Sequence, residues 1–400
     1  MNFPAPHLLP LGLYVHIPWC VRKCPYCDFN SHAIGNTSSN SIHQEILPET
    51  AYLKALITDL EQELPTVQGR EVSSIFIGGG TPSLISPKGI ARLLTDLHNR
   101  LSITKNAEIT LEANPGTMDA TRFSGFKAAG INRISLGVQS FEDGCLARLD
   151  RIHGRTEALA AFESARQAGF DNINLDLMFG LPGQSLEGSR TDLATAFSLE
   201  PEHISYYQLT LEPHTAFHRN PPLLPDDDVR WSMQEEGVVL LASAGYIQYE
   251  ISAYARSDRR CSHNLNYWEF GDYLGIGAGA HGKITSVDGV RRRWKLRNPR
   301  DYLKGIQDYP AIRDQHVDGD EWVTAADLPV EFMLNALRLL DGVSTRIYTQ
   351  RTGLFLTDIE NKLMTARTRG WLEHRNDCLI PTENGRRFLN NLLELFLADD

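Results

Sequence analysis

The 400-residue chain is poor in cysteine, methionine and tryptophan, with six of each. Six thiols are too few for a disulfide scaffold of this length, and in a reducing compartment they would stay thiols. There is no basic surplus: 39 Lys plus Arg face 50 Asp plus Glu, a formal net charge of −11. A protein that tracks a phosphate backbone usually shows the opposite balance, so nucleic acid is not expected among its partners. Long apolar runs are missing too, since no window approaches the ~18–20 residues of a membrane span. The opening Met1-Asn-Phe-Pro-Ala-Pro lacks the basic and apolar regions of a signal peptide. A cytoplasmic location is the expectation. Low-complexity segments and fixed-period repeats are also missing.

What is present is ordinary globular material, 42% hydrophobic and 22% charged. At ~100–200 residues per domain, this length suits a barrel-sized domain with a smaller one. Short β-branched or apolar runs (13–17, 74–77, 107–113, 133–138, 172–178 and 203–211) alternate with amphipathic stretches near 48–63, 87–100, 119–129, 156–168, 185–198 and 229–244. Two of these stretches end in Ala-Gly, at 129–130 and 168–169, where glycine can take the left-handed cap. Strands separated by single helices imply parallel pairing through βαβ crossovers. Six such units over 1–245 predict an α/β fold, a partial (β/α)6 or a full barrel sooner than a small open sheet. Residues 246–320 read as a connecting segment that contains the glycine-rich stretch Gly275–Gly282. Residues 321–400 read as helices plus a hairpin at Trp371–Ile380, a small winged-helix-like domain. With 12 acids against 9 Lys plus Arg, that domain is expected to pack or meet a protein partner, not DNA. The basic run Arg291–Arg297 reads as a solvated edge, with an anion-binding patch as the alternative.

Polar residues gather where the strands end: Gly78-Gly79-Gly80-Thr81-Pro82, then Glu112 and Asn114, Gln139, and Asp176. Parallel α/β folds place their chemistry at this carboxyl rim. Just after the first strand comes Cys20-x3-Cys24-x2-Cys27. Three thiolates can hold three irons of a [4Fe–4S] cluster and leave the fourth open. The alternative is zinc with His16 or His32 as fourth ligand. A zinc site, however, has no use for a glycine triplet after the next strand or for the rim carboxylates. Cys145 and Cys378 read as core or surface thiols. Gly275-x-Gly277-x-x-Ala280 is a weak dinucleotide fingerprint without an evident helix or acidic partner.

These residues resemble the radical S-adenosylmethionine (SAM) enzymes. The cysteine loop matches their cluster motif, and Gly78–Pro82 looks like the backbone edge that receives the methionine amine. The resemblance implies an open iron that chelates SAM and, on reduction, cleaves it to methionine and a 5′-deoxyadenosyl radical. Tyr14-Val-His-Ile-Pro18, Gly137–Ser140, Arg151-Ile-His153 and Asp176 with Gly180–Gly183 are similar to the oxygen-independent coproporphyrinogen oxidase group over nearly the whole chain. By that resemblance Tyr14, Gly79 and Glu112 contact cluster-bound SAM. Tyr26, Gly80, Thr81, Gln139, Arg151 and Asp176 match positions that line a second SAM site in the oxidase.

Two features depart from the oxidases. Phe29 stands where their motif has a further cysteine, and only about ten residues precede the first strand. In addition, His263-Asn264-x-x-Tyr267-Trp268 resembles the haem-binding signature of the HemW-type haem chaperones. Imidazole is a standard axial iron ligand, and Tyr and Trp offer flat area with polar edges; read from the residues alone, His263 and Trp268 are better taken as packing where the barrel meets the C-terminal part. Cys261, just upstream, reads as a buried thiol. The resemblance implies a haem chaperone with a [4Fe–4S] cluster, SAM and haem, serving acceptor apoproteins, some at the membrane, and leaves a homodimer open. Oxidative decarboxylation of coproporphyrinogen is the enzymatic alternative. Radical modification of RNA is a third, which the acidic charge disfavours.

Overall fold

The computed structural model describes residues 8–34, 47–67, 69–307 and 314–398; the Met1–Pro6 stretch lies outside them. Six parallel strands form its centre: β1 (Leu11–Ile17), β2 (Glu71–Gly79), β3 (Ser102–Ala113), β4 (Arg133–Gln139), β5 (Ile173–Phe179) and β6 (His203–Gln208). Helices α1 (Glu49–Val67), α2 (Pro87–His98), α3 (Ala120–Ala129), α4 (Arg155–Gln167), α5 (Leu186–Leu199) and α6 (Asp227–Ser243) follow them in turn. Both faces of these strands are covered, which is why β1, β4, β5 and much of β2 read as near-continuous apolar runs and not as alternation. The left-handed caps fall where expected, at Gly130 (φ 112°) and Gly169 (φ 87°). Ser86, Asp119 and Ser185 cap α2, α3 and α5 through their side chains.

The 246–320 segment is far more regular than its sequence suggests. It supplies β7 (Ile247–Glu250), β8 (Ala253–Ala255), helix α7 (Ser262–Trp268), β9 (Asp272–Ile276), β10 (His281–Ser286), β11 (Gly289–Lys295) and most of β12 (Val317–Trp322). Strand β9 pairs in parallel with β1, Tyr14 opposite Gly275. Strands β10, β11 and β12 then add antiparallel neighbours, and β8 and β7 extend the far side. One twelve-stranded sheet results, in the order β12-β11-β10-β9-β1-β2-β3-β4-β5-β6-β8-β7. Its two ends do not meet, so the barrel is partial.

Two expectations are corrected here. Arg291–Lys295 is an internal strand, not a solvated edge. Lys295 is fully buried and paired with Asp59 and Glu63, Arg293 reaches Glu63, Asp314 and Asp320, and Arg292 meets Glu331. The acids that satisfy these cations come from α1 and from beyond residue 313, too far along the chain for a local reading to find. The dinucleotide fingerprint fails as well, because a strand and not a helix follows Gly279. The glycines there serve close packing instead: a Cβ on Gly275 would sit 1.9 Å from the His281 carbonyl oxygen, and one on Gly277 (φ 105°) 2.5 Å from that of His16.

The C-terminal part has its own core of Phe332, Met333, Leu337, Tyr348, Leu363 and Phe396, which continues into Tyr249 and Val290 of the sheet and Phe270 between α7 and β9. Its two-residue strand Cys378–Leu379 pairs with Val343–Ser344, while Leu372 and Pro381 bridge the expected hairpin. No described helix is long and apolar enough to cross a membrane.

Candidate cofactor site and the cavity beside it

The cysteine loop leaves β1 through Trp19–Cys20, which pairs with His32–Ala33. Inside the loop, the Cys27 amide donates to the Cys24 carbonyl at 3.2 Å. Cys20 is buried, Cys24 and Cys27 half-buried, and all three line one cavity of about 470 Å3. Burial pushes the Cys20 thiol up to about 11, helped by the neighbouring thiols, and raises Cys27 as well. Arg151 Nη1 stands 3.6 Å from Cys24 Sγ. Among the described residues no three His, Cys, Asp or Glu side chains converge on a point for one metal ion. Three thiols on the wall of one cavity fit the donor set of a polynuclear cluster, whose irons are separate. His16 is not free as a fourth ligand either: its Nε2 donates to the Asn30 carbonyl at 2.8 Å, and its Nδ1 accepts from Tyr14 at 2.9 Å. Burial lowers its pKa to about 4.

The glycine run borders the same cavity. Gly79 has φ 115°, and a Cβ there would lie 2.6 Å from the His16 ring; one on Gly80 would lie 2.5 Å from the Trp19 carbonyl oxygen. A bare backbone is therefore required on this edge. The Gly79 amide donates to Glu112 Oε2 at 3.0 Å. Burial, then the nearby Asp176, raises Glu112 to about 8. Asp176 is itself raised by burial, although Asn174 and Ser135 donate to it at 2.8 and 3.2 Å. Gln139 closes β4 with φ 70°, an uncommon conformation for a side-chain-bearing residue, and accepts from the Tyr207 hydroxyl at 3.0 Å. Arg151 also donates to the Gly137 carbonyl at 2.6 Å.

Thus Tyr26, Gly79, Gly80, Thr81, Glu112, Gln139, Arg151 and Asp176 all reach the cavity that holds the thiols. Buried carboxylates and bare amides beside thiols can hold a zwitterionic, sulfonium-bearing nucleoside. Tyr14 does not line this cavity but lines its neighbour. Asn114, read with Glu112 at the strand rim, lines this cavity too; sequence reading missed Ser205, Tyr207, Glu250 and Arg338. The two-residue period of β6 puts Ser205 and Tyr207 on one face and was the available signal; Glu250 and Arg338 gave none.

Helix α7 packs against β1 and β2. The buried end of α7 meets Glu108, which accepts from the amides of Ser262 and His263 at 3.2 and 3.1 Å, the favourable sign at a helix start. His263 is 1% exposed. Its Nδ1 shares a hydrogen bond with Ser74 Oγ and its Nε2 with the Tyr267 hydroxyl, both at 2.9 Å, and its ring stacks on Phe76. Burial, with Arg133 nearby, lowers its pKa to about 3. His263 therefore reaches neither cavity and offers no free lone pair in this arrangement. The rest of the motif does reach them: Asn264 lines the thiol cavity, Tyr267 the neighbouring one, and Trp268 both. Cys261 is a buried thiol 3.4 Å from Glu108 and raised to about 12 by burial, so its position matches the inert reading.

The neighbouring cavity is larger, about 780 Å3, and touches the first at Phe29, Gly79, Glu112 and Trp268. Its other walls include Tyr14, Tyr273, His281, Arg292, Trp294 and Arg297. Of the last four, Arg292, Trp294 and Arg297 lie in the basic run whose alternative reading is an anion-binding patch, whereas His281 gives only a place in a glycine-rich stretch.

Residues 14–191 match the Radical SAM superfamily and residues 323–388 the HemN C-terminal domain. Superposed on solved structures, the chain resembles coproporphyrinogen III oxidase (HemN) from Escherichia coli, with a TM-score of 0.78 over 97% of this chain and 90% of that one, at 23% identity. Fold and family matches together define a radical SAM protein with a HemN-type C-terminal domain. Escherichia coli Heme chaperone HemW is 49% identical over 98% of this chain and 99% of its own length, and the Haemophilus influenzae Heme chaperone HemW 47% identical over 99% and 100%. The Bacillus subtilis Heme chaperone HemW is 34% identical over 96% of this chain. The chain belongs to the HemW family of radical SAM proteins.

Proposed function

We propose that the chain is a haem chaperone that takes haem into the larger cavity and passes it to acceptor apoproteins, including haem proteins at the membrane. One observation carries this reading. The cavity of about 780 Å3, with Tyr267 and Trp268 in its wall and arginines beside them, adjoins the cavity of the three thiols. Its volume lies in the ~300–1,000 Å3 range of small-molecule sites. Flat aromatic area with cations at the edge suits a planar dicarboxylate such as haem. The name borne by the relatives supports the same reading.

In this reading residues 1–245 carry the resident cofactors, 246–320 supply the haem wall, and 321–400 pack behind it. Cys20, Cys24 and Cys27 hold a [4Fe–4S] cluster. Such a cluster, when bound, supplies one electron to the sulfonium of SAM. Glu112, ionised in the presence of a cationic ligand, receives the amine side of SAM, and the Gly78–Gly80 backbone comes close because no Cβ intervenes. Gln139, Asp176, Thr81 and Tyr26 orient the nucleoside part, and Arg151 stands beside Cys24 at the edge of the cluster.

Coproporphyrinogen oxidation is the second reading, favoured by the fold likeness. Against it stands Phe29, which replaces a motif cysteine and is 59% exposed at the junction of the two cavities. The test is anaerobic turnover. Reconstituted protein receives reductant, SAM and coproporphyrinogen III, alongside an active oxidase control, and is separately titrated with haem. The expected outcome is no decarboxylated porphyrin and saturable one-to-one haem binding. Multiple turnovers to a divinyl product would overturn the chaperone reading.

A further inference from the structure

His263 spends both ring nitrogens inside the protein, on Ser74 and Tyr267. A second imidazole opens into the larger cavity. His281 is the first residue of β10, its side chain stands partly exposed in the cavity wall, and neither ring nitrogen has a hydrogen-bond partner among the described residues. Its orientation is fixed by Trp294, its partner across β10 and β11, whose ring lies 5.9 Å away and nearly parallel, at 15°.

The cations of the same wall divide in a similar way. Arg291, Arg292 and Arg293 each hold a carboxylate, and Lys295 holds two. Arg297, two residues past the end of β11, pairs with no carboxylate among the described residues, yet it lines the cavity. Glu112 and Asp318 line it as well, which leaves Arg297 as the place for an incoming carboxylate.

We infer that His281 is the axial imidazole for the iron of a bound haem and that Arg297 receives one of its propionates. The inference rests on the haem-chaperone reading and assigns that reading its ligand and its anchor. A neutral imidazole is the ligating form, and burial with Arg292 and Arg297 nearby keeps His281 below its ordinary pKa. Tyr267 and Trp268 then serve as flat wall, and His263 as the internal support that holds Tyr267 in place.

The test is a haem titration of the full chain, read as the dissociation constant, the Soret position and the ferric spin state. The variants are His281→Ala, His281→Met, Arg297→Ala and His263→Gln, each checked for folding by circular dichroism. His281→Ala should weaken binding by an order of magnitude or more, since even outer-shell partners alter metal affinity ~10–100-fold, and should move the Soret band. His281→Met should restore a distinct, thioether-type spectrum. Arg297→Ala should weaken haem but leave haem dimethyl ester, which has no free propionate, unchanged. His263→Gln should keep the wild-type axial signature. Should wild type bind and His281→Ala match it in affinity and spectrum, the ligand assignment is wrong while the chaperone reading stands. Failure of wild type to bind haem saturably would remove both.

Discussion

The cavity around Cys20, Cys24 and Cys27 is walled by the carboxyl ends of parallel strands, whereas the cavity beside it is walled by antiparallel strands and the end of α7. In the first, every βα unit contributes lining residues, and the charged ones are half-buried, hydrogen-bonded and shifted in pKa: Glu112, Asp176, Arg151. In the second, a cross-strand pair, His281 with Trp294, lies open to the cavity. Under the proposed function, the contrast matches two tasks. A resident cofactor gains from a preorganised, enclosed seat, while a cargo has to enter and leave. The seam between them, Gly79 and Glu112, is where one would influence the other.

The sharpest way to break the comparison is to empty the first cavity alone. Cys24→Ser should abolish iron and sulfide incorporation almost completely, read by metal analysis and the cluster absorption, because three thiolates are the minimum for the cluster. Haem binding should persist, since the second cavity contains no thiol. Joint loss of both would show that the two cavities are one functional unit.

Next in size is a blow to the second cavity from behind. Asp59 on α1 is fully buried; burial would raise its pKa, but Lys295 and His316 outweigh it and hold the carboxyl well below its usual range. It also accepts from the Gly277 amide at 3.0 Å and the Tyr302 hydroxyl at 2.8 Å, fixing the turn that leads into His281. Asp59→Asn breaks a buried charge network and should cost about 3–5 kcal/mol, measured by urea unfolding. Haem affinity should fall with it while cluster content per folded molecule stays level. An unchanged urea midpoint would mean that the network is not what fixes this wall.

The same contrast explains what was legible in the sequence. The six parallel strands and their helices could be read because each is local: an apolar run, a crossover, a glycine cap. The first cavity followed, because strand ends are identifiable positions and Cys20, Cys24 and Cys27 share one short loop. The second did not follow. β11 looked like a charged surface run because its acids, Asp59 and Glu63 on one side and Asp314, Asp320 and Glu331 on the other, are distant in sequence. His281 looked like part of a glycine-rich loop because only the antiparallel register places it opposite Trp294. His263 carried the stronger motif signal, yet periodicity could not show that Ser74 lies 2.9 Å from its ring.

A finer test asks how tightly the first cavity is tuned to a cation. Glu112 is raised from its ordinary 4.5 to about 8, so at neutral pH it is mostly protonated when the cavity is empty. The stability this carboxyl contributes is present below 4.5 and lost as pH climbs through 8. A bound cationic ligand reverses the preference and drives the proton off. Calorimetry of SAM binding in two buffers of different ionisation heat should show wild type releasing nearly one proton more than Glu112→Gln at pH 7. Equal release would place the amine of SAM elsewhere.

The smallest expected effect separates the two histidines. His263 is depressed from 6.5 to about 3 by burial, and unlike His281 it is enclosed on both ring nitrogens. A group held neutral in the fold contributes stability that is full above pH 6.5 and declines as pH falls from 6.5 towards 3, because only the unfolded chain takes up the proton. Over the unit from pH 6.5 to 5.5, in which the unfolded imidazole goes from half to mostly protonated, that decline is about 1 kcal/mol for one such histidine. Urea unfolding of haem-free His263→Gln should therefore lose less stability over that interval than wild type, by up to this amount. His281→Gln should follow the wild-type curve more closely, since an exposed imidazole can protonate without unfolding. Identical acid slopes for wild type and His263→Gln would mean that His263 opens to solvent in the native protein. An open His263 would return it to the candidates for the haem ligand.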